Sequence, residues 1–96
     1  MSKSRVIYKY ELRLMGVSEV TIPVDEDYRI RDVDIQGRND LYAWIEHTYD
    51  PNAPKQLLSF MAIGTGEIFE PPEDARFLKT VHFRSDQMVF HIYQLP

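Results

Sequence analysis

Two histidines near the C-terminus are the residues of this sequence best placed to act together. Residues 77–83 and 88–95 alternate apolar and polar side chains, and the polar segment between them predicts the turn of a β-hairpin. A turn centred on residues 85 and 86 places His82 and His91 on one face, on a diagonal that two side chains can span. The opposite face is then apolar and turned to the core; it carries Phe77, Val81, Phe83, Met88, Phe90 and Ile92.

The face with the histidines also carries Arg84 and Tyr93. Together these side chains offer hydrogen-bond donors and flat contact area, which are typical of a recognition surface. A divalent metal site is the alternative, but two histidines without a third histidine or a nearby carboxylate fall short of the usual ligand set. A plain solvent-facing sheet surface also fits the pattern. We take His82, Arg84, His91 and Tyr93 as the candidate residues for binding a ligand or partner, and expect no metal or cofactor.

The arrangements that catalysis usually requires are missing from the sequence. There is no cysteine and no Gly-x-Ser-x-Gly nucleophile motif. Gly64-Thr65-Gly66 lacks the lysine of a phosphate-binding loop and predicts a turn in which one or both glycines have positive φ. Asp32 and Asp34 share a strand face, but charged neighbours keep them solvated, whereas a general acid needs a raised pKa. We therefore expect no catalytic residues and no enzymatic activity.

The elements that position these residues are predicted to be β-strands. Strict alternation over residues 6–14 predicts a long strand with one face in the core. Pro23 cannot donate to a ladder, so the second strand is expected to lie at a sheet edge or to end there. The alternation slips by one residue near residues 31–32, which predicts a β-bulge. Residues 41–47 and 55–63 suit either a strand or a helix, because their apolar residues and propensities fit both.

Length and composition limit the fold and the partners. With 96 residues, 44% hydrophobic and 27% charged, the chain fits one domain over residues 1–96. About six or seven short strands predict an all-β fold, a single-domain antiparallel β-sandwich or small barrel. A net charge of -4 makes nucleic acid an unexpected partner. The longest apolar run, residues 60–63, is too short for a membrane span, and we expect no membrane partner.

Four features, in chain order, resemble a family of small proteins of unknown function that bacteriophages encode. They are the Ile-Tyr-Lys-Tyr-Glu-Leu start at residues 7–12, the Trp44 segment leading into Asp-Pro-Asn-Ala-Pro at 50–54, the Gly-Thr-Gly turn at 64–66, and Met-Val-Phe-His at 88–91. The resemblance implies that both ambiguous segments are strands, and it implies no catalytic residue. Charged residues interrupt any signal-peptide-like segment near the N-terminus, which favours a cytoplasmic location, and the phage resemblance makes this the host cytoplasm.

These observations lead to one expectation of function. We expect a non-enzymatic, phage-encoded binding protein that interacts with a host or phage protein, or inhibits a host protein or antiviral system. The alternatives are a protein that sequesters a small nucleotide-like ligand, or a virion accessory subunit. Unused sheet edges invite strand addition or self-association, so a homodimer is expected as well.

Overall fold

Seven β-strands account for most of the described residues. The computed structural model describes residues 4–83 and 88–96. In chain order the strands are β1 (Arg5–Leu12), β2 (Gly16–Pro23), β3 (Arg29–Gln36), β4 (Asp40–Thr48), β5 (Lys55–Gly64), β6 (Arg76–His82) and β7 (Val89–Leu95). No described segment forms a helix of the length and apolarity that crossing a bilayer requires.

The strands form two antiparallel sheets packed as a β-sandwich. One sheet has three strands in the order β1-β4-β3, and the other has four in the order β2-β5-β7-β6. The predicted all-β sandwich is confirmed. Residues 41–47 and 55–63 lie in β4 and β5, which are interior strands of the two sheets. In each strand one phase faces the core, and apolar residues of the other phase, among them Trp44 and Met61, are half-buried on the outer face of the sheet.

Alternate side chains from every strand fill the space between the sheets. Ile22, Ala43, Ile45 and Ile92 are fully buried, and Phe60 is 1% exposed. Burying one side chain of the size of isoleucine or phenylalanine contributes about 1.5–3 kcal/mol. The fold therefore depends on this inter-sheet core, since the chain has no cysteine to form a disulfide.

Two β-bulges change which residues face the core. The register of β3 shifts between Ile30 and Asp32, which confirms the bulge predicted from the slipped alternation. A second shift, between Phe77 and Lys79 in β6, was not predicted. It turns Phe77 to the outside, where 52% of it is exposed, so its predicted place in the core is wrong. Met88 is also wrongly predicted, because it precedes β7 and is 45% exposed.

The sandwich is closed on one side and more open on the other. Lys79 of β6 crosses to β3, where its Nζ donates to Asp32 Oδ1 at 2.8 Å and to Asp34 Oδ2 at 3.2 Å. These hydrogen bonds raise the pKa of Lys79, and the one to Asp32 has the largest effect. On the opposite side β1 and β2 are the edge strands. The sheet order confirms the predicted edge position of β2, and the strand ends at Pro23.

Candidate functional site

The register of the last hairpin places the predicted recognition residues as the sequence indicated. His82 pairs with Val89, and Thr80 pairs with His91. Phe90, between the two β7 residues, is 3% exposed and faces the core. His82 and His91 therefore lie on the outer face of the four-stranded sheet. The structure brings them onto one face, as predicted.

His91 is held in place by two hydroxyl groups. Its Nδ1 lies 2.9 Å from Thr80 Oγ1, and its Nε2 lies 2.8 Å from Thr65 Oγ1. Thr65 belongs to the Gly-Thr-Gly turn, in which Gly66 has the predicted positive φ, of 90°. The turn is thus tied to β7 by its threonine. Arg84, the fourth candidate residue, lies outside the described residues, and its predicted role stays a prediction.

Tyr93 belongs to a row of apolar side chains that crosses all four strands of this sheet. Val17 of β2 pairs with Met61 of β5, Met61 pairs with Tyr93 of β7, and Tyr93 pairs with Phe77 of β6. We call these four residues the apolar row. Val17 is 49% exposed and Phe77 52%, while Met61 and Tyr93 are half-buried. The ring of Tyr93 lies 5.5 Å from that of Phe77 and 5.7 Å from that of Phe69, so the row is continuous with an aromatic cluster.

The surroundings of the apolar row carry few charges. Along β5, Leu57 lies on the same outer face and is 61% exposed. Among the described residues, the charged side chains at outward-facing strand positions of this sheet are Glu19 and Lys55. A solvated face of an antiparallel sheet normally carries polar residues at these positions. This face therefore has the composition of an interaction surface.

The outer face of the three-stranded sheet is built differently. Arg5 Nε donates to Glu46 Oε2 at 2.7 Å, and Arg5 Nη1 donates to Asp25 Oδ2 at 3.0 Å. Arg31 Nη2 lies 2.7 Å from the other Glu46 carboxylate oxygen. The hydrogen bonds from Arg5 and Arg31 lower the pKa of Glu46, and the one from Arg5 has the largest effect. These charged side chains are therefore paired within the chain. The same face also carries Ile7, which is 53% exposed, and the Tyr42–Trp44 ring pair.

A cleft beside β1 was not predicted from the sequence. It has a volume of about 310 Å³, and three tyrosines line it: Tyr8, Tyr10 and Tyr49. We call it the tyrosine cleft. His47 also lines it and is 2% exposed. Alternation along β1 indicated that Tyr8 and Tyr10 face inward, but no local pattern indicated that His47 of β4 lies beside them.

The hydrogen bonds of His47 fix its tautomer. Its Nδ1 lies 2.8 Å from the backbone oxygen of Thr48, and a carbonyl only accepts, so Nδ1 carries the proton. Its Nε2 therefore accepts from the hydroxyl of Tyr10, at 2.7 Å. Burial, together with the neighbouring Tyr8, raises the pKa of Tyr10. The pair is a satisfied buried polar contact that supports the wall of the cleft.

The described histidines do not form a common site. His47 faces inward from the three-stranded sheet, whereas His82 and His91 face outward from the other sheet. Within residues 4–83 and 88–96, no group of three His, Asp or Glu side chains is placed to hold a metal ion.

Comparison with known proteins gives one match, to the domain of unknown function (DUF7352), over residues 3–96. The chain belongs to this family. Neither a curated protein nor a solved structure matches it. The predicted resemblance to a family of unknown function is thereby confirmed, whereas the match carries no information on phage origin.

Membership of DUF7352 assigns no role to any residue of the chain. The candidate site of this DUF7352 chain therefore follows from the contrast between its two outer faces. The apolar row and its neighbours, together with His82 and His91, form the candidate partner-binding face. The tyrosine cleft, beside β1 of the other sheet, is a separate candidate site for a small ligand.

Proposed function

We propose that this chain is a non-enzymatic, phage-encoded binding protein that docks a host or phage protein on the outer face of its four-stranded sheet. Binding at this face inhibits a host protein or antiviral system. The observation that carries the proposal is the apolar row, in which Val17, Met61, Tyr93 and Phe77 lie in register across all four strands. The phage origin rests on the sequence resemblance.

The chemistry of the row indicates the kind of surface that it fits. Tyrosine, phenylalanine and methionine are enriched in the cores of protein interfaces, where charged residues are depleted. A partner surface that is apolar and uncharged at its centre removes Phe77 and Val17 from water. His82 at the margin of the face supplies a polar group to the rim of such an interface. On the outer face of the other sheet, Arg5 and Glu46 are already paired within the chain, so a partner there would compete with existing ion pairs.

Charged substitutions in the row test the proposal. Tagged wild-type protein is used to capture host proteins, and an enriched protein is then purified and titrated. Phe77→Lys and Val17→Lys should each weaken binding at least about tenfold, because each leaves an ammonium group in a desolvated interface. Tyr49→Lys is the matched control, since Tyr49 is 57% exposed but lies in the tyrosine cleft.

Two results would contradict the proposal. One is equal affinity of the wild type and both row variants for the captured protein. The other is loss of binding with Tyr49→Lys alone. Circular dichroism on every variant excludes unfolding as the cause of a lost interaction.

Sequestration of a small nucleotide-like ligand is the second candidate, and the tyrosine cleft favours it. Its volume of about 310 Å³ is at the lower end of the range for ligand sites, and tyrosine rings offer stacking surface for a base. A bound ligand stabilises the fold by mass action. A thermal shift with one member of a nucleotide panel, lost in Tyr49→Lys but kept in Phe77→Lys, would support this function over protein binding. Co-purification with phage particles would instead support a virion accessory subunit.

A further inference from the structure

The four edge strands of the two sheets differ in how they are protected against pairing with another chain. Edge strands are commonly protected by bulges, prolines or inward-pointing charges. The β3 edge has the bulge between Ile30 and Asp32, and the β6 edge has its own bulge together with Lys79. The β2 edge ends at Pro23. Each of these three edges therefore carries a recognised protective feature.

The β1 edge lacks these features. Its ladder with β4 runs from Arg5 to Leu12 without a register shift, and the strand contains neither proline nor glycine. Five of its eight residues are exposed, including Ile7 at 53% and Tyr8 at 46%. β1 does carry Arg5, Lys9 and Glu11, and charges on an edge can also protect it. Its regular, accessible ladder is therefore a template for a further strand only where these charges are complementary.

We propose that β1 pairs antiparallel with β1 of a second copy of the chain, in the register that places Tyr8 opposite itself. The pairing is isologous, so the two-fold axis passes beside Tyr8. It joins two three-stranded sheets into one continuous sheet of six strands. The outer face of the four-stranded sheet takes no part, and the inference is independent of the proposed function.

Charge and face together select this register. Residues directly opposite each other in an antiparallel pair lie on the same face, so a slip of one residue would place core-facing residues opposite solvent-facing ones. With Tyr8 opposite itself, Arg5 lies opposite Glu11 of the second copy, and Ile7 lies opposite its Lys9. A slip of two residues in one direction places Lys9 opposite itself, and in the other direction it places Arg5 opposite Lys9. Both slips bring like charges together, which destabilises a cross-strand pair.

Arg5 can contact Glu11 of the second copy without losing its own partners. Its guanidinium has five N–H groups. Three of them donate within the chain, to Glu46, to Asp25 and to the backbone oxygen of Asp27. Two therefore remain for a carboxylate on the neighbouring strand. The charged residues of β1 thus permit this register and disfavour the slips of two residues. A slip of four residues, with Tyr10 opposite itself, avoids like charges but pairs only residues 8–12.

Cysteine cross-linking tests the register directly, since the chain has no cysteine of its own. Tyr8→Cys should form a covalent dimer on mild oxidation, because the two copies of residue 8 are neighbours across the axis. Ile7→Cys alone should not, but a mixture of Ile7→Cys with Lys9→Cys should form a mixed dimer. Val17→Cys is the matched control, as Val17 is 49% exposed on the other sheet.

Sedimentation of the wild type over a range of concentrations gives the second measurement. It should show a species with twice the mass of one chain. In the dimer, residue 7 of each copy lies opposite Lys9 of the other. Ile7→Lys therefore creates two pairs of like charges and should weaken association about tenfold. Leu57→Lys, on the outer face of the other sheet, should not.

Three results would overturn the inference. They are a wild type that stays monomeric at every concentration, cross-linking of Tyr8→Cys no faster than that of Val17→Cys, or a dimer that Leu57→Lys disrupts and Ile7→Lys does not. Loss of partner binding by the row variants with the dimer intact would separate this inference from the proposed function.

Discussion

The hydrogen bond between Tyr10 and His47 gives the sharpest prediction of stability. Replacing Tyr10 by phenylalanine keeps the ring and removes only the hydroxyl group. His47 Nε2 then loses its donor, 2.7 Å away, while the ring stays 2% exposed. Its Nδ1 cannot compensate, because that nitrogen already donates to the backbone oxygen of Thr48. The substitution therefore leaves one buried acceptor without a partner.

The cost follows from the desolvation of that acceptor. An unpaired buried polar group costs about 1–3 kcal/mol. For a domain of this length, 1 kcal/mol shifts the melting temperature by roughly 4–8 °C. Tyr10→Phe should therefore lower the melting temperature by at least about 4 °C. Water that enters the tyrosine cleft and reaches Nε2 would move the result toward the lower limit.

Urea and thermal unfolding, followed by circular dichroism, measure this difference. Tyr8→Phe is the control, because it removes the same group from a ring that is 46% exposed, and it should change stability by less than about 0.5 kcal/mol. The double variant Tyr10→Phe/His47→Phe should be less unstable than the sum of the single variants, because both polar groups are gone. Equal stability of Tyr10→Phe and Tyr8→Phe would refute the reasoning.

Three further predictions concern the core, a turn and the acid limb of the stability curve. Ile92→Ala, at a fully buried position, should lower the free energy of unfolding by about 2–5 kcal/mol, and a urea midpoint close to that of the wild type would contradict this. Gly66→Ala should lower the free energy of unfolding by about 1–2 kcal/mol, because φ is 90° at this position. Gly64→Ala is the control, since an added Cβ there would lie 3.6 Å from a ring carbon of Phe90, an ordinary contact. Similar melting temperatures of the two variants would contradict this prediction. Burial opposes ionisation of Asp25, but backbone hydrogen bonds and Arg5 outweigh it, so its pKa is lowered from 3.8. A carboxylate with a lowered pKa stabilises the fold at any pH above its pKa in the unfolded chain, and this contribution is lost as pH falls through its pKa in the folded chain. When the pH is lowered from about 4, the urea midpoint should therefore decrease less steeply for Asp25→Asn than for the wild type.

Local patterns in the amino-acid sequence were enough to predict the strands and several of their details. Period-two alternation, Pro23 and the phase slip at residues 31–32 are local signals, and each correctly predicted an element, an edge or a bulge. The turn between β6 and β7 correctly predicted that His82 and His91 share a face, because a hairpin fixes its own register. Residues 41–47 and 55–63 were ambiguous by periodicity, and the family resemblance correctly indicated that they are strands.

Contacts between strands distant in sequence could not be predicted and were found only in the folded chain. The apolar row joins Val17 to Phe77 through two further strands, and Tyr10 meets His47 through the pairing of β1 with β4. The bulge before Lys79 turned Phe77 from the core into that row. Periodicity specifies which face of a strand is apolar, but strand order and register depend on how all seven strands bury those faces together. For that reason the candidate binding face and the tyrosine cleft became visible only in the folded chain.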